Sequence, residues 1–366
     1  MKTKTTTKAK KQPDPLALIM PFLEDPQNTE ILIDGHEHFQ VVKQGKLTDM
    51  PSPFKTEAQL MDLIQAIAEP LGRRATESTP ILDLRLQDGS RVHVVIPPIA
   101  LQGPAMTIRK ATIGAMTANQ LVEFGACSQD MITLLDACVK ARLNILVAGG
   151  TNSGKTTILA ILANMIYDEE RILLLQREEI LLKKPNLVKL ETRPANIEGR
   201  GEITMRQLVN SAVNLLAERI VTQELTGPET LDVLQAMNSG FNGCIQAIHA
   251  TSTFDALVRL EEMVSYANPS LPTLNVRNLI ASAVDVIVYT ERLRSGQRRI
   301  TKIAEVTGMN DSVVALRDIF EFRQLGVKNG QIEGDFPATG NIPKFMQRMQ
   351  DMGIELPLSI FTPKKK

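Results

Sequence analysis

Apolar and polar positions follow two different patterns along the chain. Up to about residue 110 the apolar stretches are short and alternating, as in Glu30-Ile31-Leu32-Ile33 before the turn Asp34-Gly35 and Ile81-Leu82-Asp83-Leu84-Arg85-Leu86 before Asp88-Gly89. A period of two puts every second side chain on one face, which is the signature of half-buried strands closed by turns. Between these strands, residues 56–71 repeat apolar side chains at helical spacing. The pattern predicts a small α+β domain over 13–110. Residues 111–118, with Gly114 and no strong period, read as a linker. From there strands alternate with helical stretches: Asn144-Ile145-Leu146-Val147, then 172–175, 219–222, 245–248 and 286–289. Such alternation predicts a mostly parallel sheet covered by helices, an α/β domain of RecA-like form over 119–362.

Composition narrows the class without changing that division. A chain of 366 residues exceeds one ordinary domain, and 43% hydrophobic against 22% charged residues is the balance of a globular protein. Lys+Arg and Asp+Glu both number 41, so net charge recommends neither nucleic acid nor an anionic membrane as a partner. Lysines gather at the ends, at Lys2, Lys4, Lys8, Lys10 and Lys11 and at Lys364, Lys365 and Lys366, so 1–12 and 363–366 are expected to be disordered basic tails. The basic start lacks a following apolar core, and no apolar run approaches the roughly 18 residues of a spanning helix, so a cytoplasmic protein is expected. Cys127, Cys138 and Cys244 are odd in number, widely spaced and set in apolar sequence, and read as reduced packing residues. His36, His38 and His93 have no chemical context.

One segment carries definite chemistry. Gly149-Gly150-Thr151-Asn152-Ser153-Gly154-Lys155-Thr156 is the P-loop pattern, and it stands between an apolar strand and a helix, where the pattern is meaningful. Amides of the loop and the positive end of the helix cradle phosphates, Lys155 reaches the outer phosphates and Thr156 takes magnesium, with Thr157 also assigned to nucleotide binding. ATP with magnesium is the expected ligand. Downstream, Ala217-Glu218-Arg219-Ile220-Val221-Thr222-Gln223-Glu224 delivers a carboxylate at the C-terminal end of a strand, the edge at which open α/β sheets bind ligands. Read alone, that pattern is equally a surface Glu after a strand. Beside a P-loop, Glu224 can serve magnesium or activate the attacking water.

From about residue 28 onward the chain resembles the type II/IV secretion-system ATPase family, and most closely its tight-adherence (Flp-type) pilus branch. Asp88-Gly89-Ser90-Arg91-Val92, Ile96-Pro97-Pro98, Thr107-Ile108-Arg109-Lys110 and the P-loop carry the resemblance. So do the stretch 190–199, Leu234-Gln235-Ala236-Met237-Asn238-Ser239-Gly240, Ile248-His249-Ala250 and Glu305-Val306-Thr307-Gly308-Met309. The resemblance implies a hexameric ring, of one chain or mixed with a paralogue, whose N-terminal domains close over nucleotide and push on an inner-membrane platform protein. It implies that Arg85, Arg91 and Arg109 correspond to N-domain arginines, some of which reach phosphate during closure as arginine fingers do, the alternative being interdomain or surface ion pairs. It places His249 in a His box at the phosphate end of the site, where the residues alone suggest a hydrogen-bonded strand-end histidine.

The family pattern is broken in two places. Its acidic box reads Glu-Asp-x-x-Glu, whereas this chain has Gln176-Arg177-Glu178-Glu179. Glu179 can stand for the closing Glu, but an amide is no general base and a cation beside magnesium opposes the charge logic of the site. Arginines usual around the Walker B strand are replaced at Asn210, Asn214, Leu216 and Thr226, while Arg200 and Arg206 remain. Two functions of different class therefore stay open: a hydrolysing motor, and a nucleotide-binding regulatory or structural subunit. A RecA-like DNA helicase comes third, for want of a basic, aromatic-rich stripe.

Overall fold

A computed structural model describes residues 14–25, 27–43, 46–86, 89–110, 116–177, 180, 182–193, 195, 200–328 and 330–363. The expected basic tails apart from Pro363, linker residues 111–115, Asp88 and Glu179 lie outside the described residues. The chain splits into two compact units, the division falling between Ile113 and Gly114.

In the first unit, helix α1 (Met20–Glu24) precedes strands β1 (Asn28–Asp34), β2 (His38–Lys43) and β3 (Lys46–Met50). Helix α2 (Glu57–Ala68) and strands β4 (Ile81–Arg85), β5 (Arg91–Val95) and β6 (Ala105–Arg109) follow. The strands form one antiparallel sheet in the order β3-β2-β1-β6-β5-β4. Alternation decides its faces: Ile31, Ile33, Leu82, Leu84, Val92, Val94, Met106 and Ile108 are buried, and they share a core with Leu60, Leu63, Ile64 and Ile67 of α2. Thr56 starts α2 by accepting a hydrogen bond from the Gln59 amide, satisfying one of the donors that a helix start leaves open.

The second unit begins with α3 (Ala118–Glu123), α4 (Gln129–Lys140), β7 (Ile145–Gly149) and α5 (Lys155–Asn164). Next come β8 (Ile172–Gln176), β9 (Leu187–Glu191), α6 (Met205–Asn214), β10 (Arg219–Leu225), α7 (Glu229–Asn238) and β11 (Ile245–His249). The rest comprises α8 (Thr253–Ala267), α9 (Thr273–Ala283), β12 (Val286–Arg292), β13 (Arg298–Asn310), β14 (Val313–Glu321), β15 (Arg323–Lys328), β16 (Gln331–Asp335) and α10 (Met346–Asp351). An eight-stranded sheet runs in the order β14-β13-β12-β7-β11-β10-β8-β9. Its strands from β12 to β9 in that order are parallel, and β13 and β14 extend it antiparallel. Neighbouring residues of a strand serve opposite cores. Ile145 and Val147 pack with α4, α5 and α10, while Leu146 and Ala148 pack with α6, α7, α8 and α9. This is the α/β, RecA-like arrangement expected from the alternation of strands and helices. The pattern of apolar runs did not announce β9, β13, β14 or the separate β15–β16 hairpin, whose strands carry mixed polar and apolar residues. Among the described residues, no helix is long and apolar enough to cross a membrane.

Candidate functional site

β7 lies inside the parallel sheet with all five of its residues buried, and it ends at Gly149. Its neighbours place His249 of β11 and Thr290 of β12 in register with that glycine. Gly149 has to lack a side chain, because a Cβ there would run into the Thr290 carbonyl oxygen and Ser153 Oγ. The loop then turns through Asn152 at φ 58° and Gly154 at φ 104°, both left-handed, a region that Asn tolerates and Gly favours. Gly154 caps α5 without any side-chain hydrogen bond, so amides of the first helical turn remain available to an anion. Ser153 is buried, and its hydroxyl has no protein partner among the described residues.

Lys155 Nζ donates to the Gly150 carbonyl at 3.0 Å and lies 3.5 Å from Glu224 Oε1. Glu224 is the penultimate residue of β10, a strand separated from β7 only by β11. The sheet therefore brings together the glycine loop, the lysine and the carboxylate that the sequence singled out 69 residues apart, Thr156 being exposed beside Lys155 on the same turn. A glycine cradle, an orphan buried hydroxyl, an exposed Thr156 and a nearby carboxylate fit a magnesium nucleotide.

His249 is exposed at the end of β11. Close by, the Asp255 carboxylate accepts hydrogen bonds from the Thr251 amide at 2.7 Å and hydroxyl at 3.0 Å. These bonds hold its pKa below the ordinary carboxylate value, with smaller help from Arg259 and His249.

The two departures from the family's acidic box have definite partners. Gln176 is buried at the end of β8; its amide donates to Glu191 at 3.2 Å and its carbonyl accepts from the Ile180 amide at 3.0 Å. Arg177 Nη2 donates to Thr226 Oγ1 at 2.7 Å and to Glu229 Oε1 at 3.0 Å, and the Arg177 amide bonds Gln223. Glu229 is buried and also accepts from the Thr226 amide at 3.0 Å. The cation is thus compensated by a carboxylate. Thr226, one of the positions from which an arginine is missing, is the very residue this guanidinium reaches. Arg206 Nε lies 2.7 Å from Asp232 Oδ2. Glu179, expected to assist Glu224, is outside the described residues.

In the first unit, cross-strand register sets Arg85 opposite Arg91, Arg91 opposite Arg109 and Arg109 opposite Glu30. Opposed residues share a face, here the face away from the apolar core, so three guanidiniums arise side by side. Like charges side by side disfavour a sheet, and Arg109 pairs with Glu30 at 3.1 Å. Sequence reasoning named all three arginines without seeing that they form a row, because register across strands is not written in any one of them. It also missed Thr290, whose hydroxyl donates to the Ser153 carbonyl at 2.9 Å across 137 residues.

Three comparisons bear on this site. The family described as "Type II/IV secretion system protein" matches residues 14–324. A putative conjugal transfer protein of Mycobacterium tuberculosis is 31% identical over 329 residues, covering 84% of this chain and 93% of the relative. The type IV secretion system protein VirB11 of Bartonella quintana is 27% identical, covering 78% and 90%. Among solved structures, the Legionella pneumophila ATPase DotB is similar in fold, with a TM-score of 0.58 at 15% identity over 82% of this chain and 83% of that one.

Proposed function

The chain belongs to the type II/IV secretion system protein family, and on that premise we propose that it is a hexameric ATPase powering tight-adherence pilus assembly or type II/IV secretion. The observation that carries this reading is the placement of Lys155 Nζ between the P-loop carbonyl of Gly150 and the carboxylate of Glu224. A phosphate cradle and a carboxylate that can act on water then stand in one unit. Loop amides from Gly149 to Thr157 and the Lys155 ammonium hold the phosphates. Thr156 and Glu224 would hold magnesium, which when bound neutralises charge on the phosphate oxygens. Glu224 takes the proton of the attacking water, with Glu179 in support and His249 at the phosphate end. Arg85, Arg91 and Arg109 close on the phosphates during domain closure, and product release resets the ring. Membership of the family supports an inner-membrane platform protein as the partner, with the ring cytoplasmic and held at the membrane through it.

A second reading has its own support. Gln176 and Arg177 are committed to bonds with Glu191, Ile180, Thr226 and Glu229, so the acidic box contributes structure where the family pattern has carboxylates. A nucleotide-binding regulatory subunit with little hydrolysis, in a mixed ring with a paralogue, would follow. Steady-state ATPase rates of the wild type, Glu224→Gln and Lys155→Ala separate the two. For the motor, Glu224→Gln lowers turnover by about a hundredfold, the usual range for loss of a general base, while nucleotide still binds. Wild-type turnover equal to that of Glu224→Gln overturns the motor. Lys155→Ala loses nucleotide binding in either case.

A further inference from the structure

The β12–β13 hairpin carries four arginines, Arg292, Arg294, Arg298 and Arg299, of which the phosphate-site chemistry uses none. Its position is set by the P-loop itself. β12 pairs with β7 so that Thr290 faces Gly149, and two residues later the strand passes the end of β7. The Thr290 hydroxyl donates to the Ser153 carbonyl at 2.9 Å and lies 3.1 Å from the Arg299 carbonyl, tying the base of the hairpin to the loop. The turn closes with the Leu293 amide on the Gln297 carbonyl at 2.8 Å and Gly296 at φ 85°.

Adjacent strand residues point to opposite faces, and Arg298 and Arg299 follow that rule to different ends. Arg299 is buried, its guanidinium 4.7 Å from the centre of the Phe322 ring and 6.0 Å from that of Phe336, and desolvation lowers its pKa. Arg298 is exposed, and its Cδ is 3.7 Å from where a Cβ on Gly154 would stand, an ordinary packing distance. The arginine stem therefore passes beside the last loop residue before Lys155.

The direction of a bound nucleotide decides what that side chain meets. Lysine of a P-loop takes the outer phosphates, and here its ammonium lies toward Glu224, on the β11–β10 side of β7. The other flank of β7, away from the side that takes the outer phosphates, is where β12 and its hairpin stand. We infer that Arg298 receives the nucleoside end of the nucleotide, its planar guanidinium stacking on the base. The inference rests on the nucleotide-binding part of the proposed function. Guanidinium suits the task because it is planar, weakly hydrated and able to lie on a π face, whereas an ammonium offers only charge.

Calorimetric titration of the full chain with Mg·ATP and, separately, magnesium tripolyphosphate tests it, using wild type, Arg298→Ala, Arg298→Lys and Lys155→Ala. Arg298→Ala should weaken ATP binding roughly tenfold, the scale of a partly desolvated cation–π contact, and leave tripolyphosphate binding unchanged. Arg298→Lys should keep most of that loss. Lys155→Ala should weaken both ligands. ATP affinity of Arg298→Ala within twofold of wild type, equal losses for ATP and tripolyphosphate, or full rescue by lysine each overturns the inference while leaving the P-loop reading intact. A wild type that binds neither ligand overturns both.

Discussion

The three cysteines show how burial governs reactivity. Cys127, Cys138 and Cys244 are free and buried. Burial disfavours the charged thiolate, pushing Cys127 and Cys244 up to about 12 and Cys138 well above its ordinary value. At pH 8 the thiolate fraction of a group titrating about four units higher is roughly one in ten thousand, and only the thiolate attacks. A thiol reagent at pH 8 should therefore leave the native protein unlabelled for the time in which it labels three cysteines in guanidinium chloride. Fast labelling of the native protein would contradict this burial. The sequence had these residues as packing residues because their neighbours are apolar. It contained nothing comparable for Gln176 and Arg177, whose partners Glu191, Thr226 and Glu229 come from β9, the turn after β10 and the start of α7.

At the scale of elements, β10 is anchored at one end and chemical at the other. Its first residue, Arg219, is fully buried and grips Glu170 with Nε at 2.6 Å and Nη2 at 2.9 Å. The same guanidinium donates to the Gly243 carbonyl at 3.1 Å and the Val139 carbonyl at 2.8 Å, and Gly243 has to be glycine because a Cβ would collide with Arg219 Nη1. Arg142 adds a second cation to Glu170 at 2.7 Å. This clamp holds the N-terminal edge of the sheet, opposite the edge where Glu224 emerges. Removing one partner of a buried pair leaves an uncompensated charge, so Glu170→Ala should lower unfolding free energy by about 3–5 kcal/mol in a urea titration. Arg219→Met combined with Glu170→Leu should be less damaging than Glu170→Ala alone, since no charge then stays buried. A denaturation midpoint for Glu170→Ala equal to wild type would contradict the clamp.

At the scale of the whole molecule, the proposed ring makes a direct claim. Multi-angle light scattering at micromolar protein, with magnesium and a slowly hydrolysed ATP analogue, should give the mass of six chains, and a monomer there would count against the ring and the motor together. The sequence by itself determined the RecA-like class and singled out the P-loop and Glu224 as candidates, because strand and helix periods are local and the phosphate cradle is one contiguous segment. Through the resemblance it also pointed to Arg85, Arg91, Arg109 and His249. Tertiary structure alone decided that Lys155 meets Glu224, that Arg177 is neutralised by Glu229, that three arginines line up across β4, β5 and β6, and that Arg298 passes beside Gly154. Each of these is a meeting of side chains from separate elements, set by strand order and register, and neither quantity is encoded in the hydrophobic period of any single strand.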